Sequence, residues 1–137
     1  FHLSGMKRNK YDKIFSDIIR TRDKWCCKRC GKNYYFNKGA LQNSHYFGRT
    51  RYSVRFDEDN CDALCYGCHR FWEKENREEY RNYMIKKIGS EKFELLTYKA
   101  QSLSKKREYE NDIFYKEMKK RLKELEIEFD CSVIDNL

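Results

Sequence analysis

The chain has 137 residues, 38% of them charged, with a net charge of +8 at pH 7 and no proline. That length builds one small domain with an appendage, and the missing proline excludes a proline-rich linker. No apolar run is long enough to span a membrane, and seven cysteines, an odd number, fit intracellular thiols better than a secreted disulfide scaffold. The basic excess favours a polyanionic partner, because neutralising phosphates releases condensed counterions. Phe1 to Gly5, ahead of Met6, read as a cloning scar, and His2 is set aside with them.

Tyr11, Ile14, Phe15, Ile18 and Ile19 recur at helical spacing, so residues 11–22 are predicted to form an amphipathic helix with Arg20 and Arg22 off its apolar stripe. Cys27-Lys28-Arg29-Cys30 is a CxxC knuckle closed by Gly31. Residues 40–46 predict a short strand ending at His45, and residues 47–59, with Arg49, Arg51 and Arg55, read as an exposed loop. A second strand is predicted from Asn60 to Leu64. Cys65-Tyr66-Gly67-Cys68 then turns the chain into a helix carrying His69 and Trp72. Asn76 with Glu79 is a capping-box start, Tyr80, Tyr83, Met84 and Ile88 form that helix's apolar face, and Gly89 stops it. Ser90 begins another helix. A last long one, from about Lys105 to Phe129, is striped by Phe114, Met118, Leu122, Leu125 and Phe129. Residues 6–75 are the expected core, and residues 76–137 a helical extension packed on it or used for dimerisation.

The chemistry concentrates at the cysteines. Two CxxC knuckles bring four thiolates, Cys27, Cys30, Cys65 and Cys68, to one tetrahedral zinc. They tie residues 31–64 into a loop, with His45 inside it and His69 directly after the last cysteine. Cys26, Cys61 and Cys131 remain as small buried apolar residues. A histidine titrating near neutrality can serve as the base for an attacking water, and a divalent ion can stabilise a leaving oxyanion. With both histidines at the clamp, close enough to work together, the pattern suggests phosphodiester chemistry. Arg49, Arg51 and Arg55 would grip phosphates, with Arg20, Arg22, Lys28 and Arg29 as a second basic surface. Tyr34, Tyr35 and Phe36 read as packing around the zinc.

His45, Asn60 and His69, the last in a CxxC-His run, follow the order of residues in the HNH (ββα-metal) endonucleases, which the chain resembles. The similarity is greater to the phage NinG/Rap recombination endonucleases. It is carried by Phe15-Ser16-Asp17-Ile18-Ile19-Arg20-Thr21-Arg22-Asp23, the Cys27 to Gly31 knuckle, His45-Tyr46-Phe47-Gly48-Arg49, Arg55-Phe56-Asp57-Glu58-Asp59-Asn60 and the second CxxC. This resemblance implies an α+β fold: a small zinc-stabilised ββα-metal core with an N-terminal helix and a helical C-terminal extension. It implies His45 as general base, Asn60 as the brace of its loop, and His69 as ligand of a catalytic Mg²⁺ or Mn²⁺. The implied partner is DNA, including branched forms such as a four-way junction, in the cytoplasm of a phage-infected host. Many HNH enzymes place Asp or a second His where this chain has Ser44. The further metal ligand would then come from Gln42, Asn43, Ser44, Asp57, Asp62, water or substrate phosphate. Two other readings stand beside a DNA endonuclease: an inactive zinc-stabilised DNA-binding module, and a helical protein-interaction adaptor. The C-terminal stripe reads as the seam of a homodimer.

Overall fold

A computed structural model describes the backbone of residues 7–135 and the side chains of residues 7–132. Residues 1–5, read above as a scar, and His2 among them lie outside the described residues. The first element, α1 (Lys10–Arg22), starts where Asn9 accepts hydrogen bonds from the Tyr11 and Asp12 N–H groups at 3.0 and 3.1 Å. Asp12 answers by accepting from the Asn9 N–H at 3.0 Å, which completes a capping box. Ile14, Phe15, Ile18 and Ile19 form the buried stripe, as their spacing predicts.

α1 packs on a two-stranded antiparallel hairpin, β1 (Leu41–His45) and β2 (Cys61–Cys65). Leu41 stands opposite Cys65, and His45 opposite Cys61. Strand alternation gives the hairpin two faces. His45 is on the α1 face, its ring 6.3 Å from that of Phe15. Gln42 and Ser44 belong to the other face, where Ser44 Oγ lies 2.7 Å from the Tyr80 hydroxyl.

The segment between the strands is not the exposed loop that its charges suggest. It contains a one-turn helix, α2 (Tyr52–Arg55), whose Ser53, Val54 and Arg55 are buried. Asn60 closes the segment from inside. Its side-chain amide donates to the Phe47 and Val54 carbonyls at 2.9 and 3.1 Å, and its oxygen accepts from the Phe47 N–H at 2.9 Å.

After β2, α3 (Tyr66–Arg70) leaves the second knuckle and widens into a π-type turn through Glu75. α4 (Arg77–Ile88) is capped by Asn76 on the Glu79 N–H and ends at Gly89, whose φ of 89° suits only glycine without strain. Tyr80 and Met84 are its buried residues, and Trp72 stacks on Tyr80 with ring centres 4.6 Å apart. α5 (Ser90–Ala100) follows, then α6 (Asp112–Asp135). The molecule is therefore α+β and mostly helical. No helix of the described residues is long and apolar enough to cross a membrane.

Of the two covers the sequence suggests for the α6 stripe, the core and a second copy, the structure shows the core. The stripe lies along α1, with Met118 and Leu125 buried and Phe114, Leu122 and Phe129 packed against the same core. Tyr115 meets Tyr11 edge-on at 5.5 Å, and Phe114 meets Phe56 at 5.7 Å. The seam read as a dimer interface is thus occupied within the chain, and core and extension share one continuous apolar cluster from Ile14 to Leu125. Leu125→Ala should lower stability by about 2–5 kcal/mol, the range for a buried leucine whose cavity only partly collapses. Urea denaturation checks this, and light scattering should show the same particle mass for both proteins.

Candidate functional site

The four knuckle cysteines meet, their sulfurs all within 4.8 Å of one another. Tetrahedral zinc with Zn–S near 2.3 Å sets sulfurs about 3.8 Å apart, so small adjustments suffice. The first knuckle turns through Gly31, at φ 81°, whose N–H donates to the Cys27 carbonyl at 2.8 Å. It is pinned to β2 by a bond from the Lys28 N–H to the Ala63 carbonyl at 2.9 Å. Burial opposes ionisation of Cys65, but hydrogen bonds from the Cys68 backbone and from the Cys68, Tyr34 and Cys27 side chains outweigh it and bring the thiol down to about 7. Arg29 completes the surroundings. Its guanidinium lies 3.5 Å from Cys68 Sγ, pairs with Glu79 at 2.7 Å and sits 4.2 Å from the centre of the Phe71 ring. A soft, anion-forming donor set of this shape could hold a metal such as zinc. Of the remaining cysteines, Cys61 is buried as expected, whereas Cys26 is half-buried and Cys131 is exposed. Phe36 does not pack around the cluster either; it is 97% exposed.

At the far end of β1, His45 Nε2 lies 2.8 Å from the Arg55 carbonyl oxygen. A carbonyl only accepts, so Nε2 carries the proton and Nδ1 keeps its lone pair. Burial pushes the imidazole down to about 4, although the Arg55 carbonyl and the Asp12 carboxylate work against the shift. Asn60 ties down the loop that carries this carbonyl.

Arg55 itself departs from its expected role. Only 1% exposed, it cannot grip a phosphate; its guanidinium clamps Asp12 through Nε at 3.0 Å and Nη2 at 2.6 Å. Arg49 is half-buried, 3.5 Å from the same carboxylate, while Arg51 is exposed and donates to the Ala100 carbonyl at 3.1 Å. The second basic surface is also mostly spoken for. Arg20 holds Asp17 and the Leu41 carbonyl, and Arg22 holds Asp23 and the Glu58 and Cys61 carbonyls. Arg29 belongs to the cysteine cluster. Lys28 remains exposed.

His69 occupies a separate place. Its Nδ1 is 2.7 Å from Gln42 Oε1 and its Nε2 is 2.8 Å from Glu73 Oε1, in a depression of about 240 Å³ also lined by Tyr66, Arg70 and Lys74. Gln42 precedes His45 by three residues, about 10 Å along a strand, and faces the other way. The two histidines therefore do not form one cluster, contrary to the expectation from their sequence positions. Most other candidate metal ligands are engaged. Ser44 is sealed beneath Tyr80. Asp62, fully buried, takes the Tyr83 hydroxyl at 2.7 Å and Lys87 at 3.0 Å. Asp57 pairs with Lys99 at 2.7 Å. Asn43 is buried, and its Oδ1 finds no hydrogen-bond partner among the described residues. Asp12 and Glu73 are the residues that sequence reasoning missed, and Tyr80, read there as part of an apolar face, also covers Ser44. Glu73 had a legible signal, four residues after His69 on one helical path.

Comparison with known families decides the affiliation. A family model described as "Bacteriophage Lambda NinG protein" matches residues 5–128. The chain belongs to the NinG family. No curated protein and no solved structure matches it. Within this NinG member the cysteine cluster has a direct test. Purified protein should carry one zinc per chain, and stripping it with a chelator should lower the melting temperature, since the site joins residues far apart in the sequence. Cys65→Ser with Cys68→Ser should abolish both the metal and the cooperative melt.

Proposed function

We propose that this NinG-family chain is a metal-dependent DNA endonuclease of the HNH class, acting on branched recombination DNA in an infected host cell. The observation that carries the reading is the ring of His45, held by the Arg55 carbonyl so that Nδ1 faces away with a free lone pair. At about 4 this imidazole is neutral at physiological pH and fixed in one tautomer, so it can accept a proton from a water attacking phosphorus, although as a weaker base than the near-neutral histidine the sequence suggests. Asn60 keeps the supporting loop in place, and Arg49 and Arg51 supply positive charge on that loop. An imidazole, a carboxylate and an amide oxygen, from His69, Glu73 and Gln42, suit Mg²⁺ or Mn²⁺ chemically. A divalent ion bound there would supply positive charge to the DNA strand. A zinc-stabilised DNA-binding module without catalysis is the second reading. The sealing of Ser44 beneath Tyr80 favours it, because the position where HNH enzymes carry a metal ligand is closed.

Incubation with supercoiled plasmid, linear duplex and a four-way junction, with and without Mg²⁺ or Mn²⁺, separates the two. Wild type should cut, His45→Ala should cut about 10²–10⁴-fold more slowly while binding DNA equally well, and His69→Ala should need more divalent ion. Binding without cutting by wild type under every condition would establish the module instead.

The low His45 value also has a stability signature. An unfolded imidazole titrates near 6.5, whereas the folded ring titrates at about 4. The stabilisation is fully present above 6.5 and is lost as pH falls through the folded value. Between pH 7 and 4 the melting temperature of wild type should fall more steeply than that of His45→Asn.

A further inference from the structure

We infer that Asp12, on the N-terminal helix, is a positioning residue for His45 and acts through the buried Arg55; the inference rests on the reading of His45 as a general base. The chain of contacts is short, buried at the Asp12–Arg55 pair and half-buried at His45. Both Asp12 oxygens are engaged by one guanidinium, at 3.0 and 2.6 Å, and the backbone carbonyl of that same Arg55 receives the His45 Nε2–H at 2.8 Å. A two-pronged carboxylate–guanidinium pair fixes orientation as well as distance. Where the Arg55 side chain is clamped, the C-terminal end of α2 is clamped, and so is the direction of its carbonyl.

Neighbouring groups remove the remaining freedom. Arg55 Nη1 donates to the Arg49 carbonyl at 3.3 Å, and the guanidinium carbon lies 5.0 Å from the centre of the Tyr52 ring. The Tyr52 hydroxyl in turn donates to Glu110 at 2.5 Å, and Glu110 also accepts from the Asn9 amide at 2.6 Å. With Asp12 at 4% and Arg55 at 1% exposure, neither can trade its partner for water in place. If the carboxylate is removed, the guanidinium must leave for solvent and take its own backbone with it. The His45 ring then loses the acceptor that sets its tautomer, and Nδ1 no longer holds the lone pair in every molecule.

Removing one charge alone strands the other in the core, so the informative variant removes both: Asp12→Leu with Arg55→Met, shapes that replace a buried ion pair without leaving an unpaired group. Arg55→Lys is the second variant, keeping a charge beside Asp12 but not the two-pronged grip. The first readout is the His45 ring in a long-range ¹H–¹⁵N correlation spectrum, assigned by its loss in His45→Ala. Wild type should show the pure Nε2–H tautomer, and both variants an average of the two tautomers. The second readout is junction cleavage, in which kcat should fall about 10²-fold, the scale of an ångström-sized misplacement, while KM for DNA stays as in wild type. A wild-type tautomer and turnover in whichever variant retains a cooperative melt would overturn the inference. If wild type itself cuts nothing, the endonuclease reading fails, and the tautomer spectra still decide whether Asp12 positions the ring.

Discussion

A carboxylate and a guanidinium buried together, Asp12 with Arg55, hold the rest of the molecule in register. Taking two charges out of water is costly, and the attraction between them compensates only when geometry is good and the remaining donors and acceptors are filled. Both conditions are met here. Asp12 also receives the Asn9 N–H that starts α1, so one side chain caps the first helix and anchors the segment between the strands. α1 in turn carries the hairpin on one side and α6 on the other.

The cysteine cluster governs the opposite end of the hairpin. Cys65 ends β2 opposite Leu41, so the clamp fixes the hairpin where β1 begins and β2 ends, and the Asp12–Arg55 pair fixes it at the other end, beside His45. Five residues of strand separate two chemically distinct ends. One gathers sulfur, the other an imidazole with a free lone pair. His69 lies near the first and is turned away from the second, so the two histidines stand on different faces of one hairpin.

Much of this was legible in the sequence because the signals were local. The α1 stripe, the two strands, the CxxC pairs, the Asn76 cap and the Gly89 stop each arise within a few residues, and each stands where expected. What escaped depends on partners far along the chain. Arg55 reads as a loop arginine until Asp12, 43 residues earlier, comes beside it. α2 is one turn long, too short for any periodicity to declare it. The α6 stripe announced that it must be buried, but pattern alone cannot say that its cover is α1, about 100 residues away. Ser44 looked like a weak metal ligand, and only the packing of Tyr80 shows that the position is closed.

Glu110 gives the architecture a direction in time. Its side chain, 6% exposed, joins Asn9 to Tyr52 behind the guanidinium, so the support of His45 draws on residues from 9 to 110. All four knuckle cysteines, by contrast, have left the ribosome once residue 68 is clear. A growing chain can therefore close its metal clamp while the imidazole still lacks its backing. The sulfurs that could hold a metal and the full backing of His45 thus depend on stretches of chain that end at different residues, Cys68 and Glu110, so the first can assemble before the second has been made.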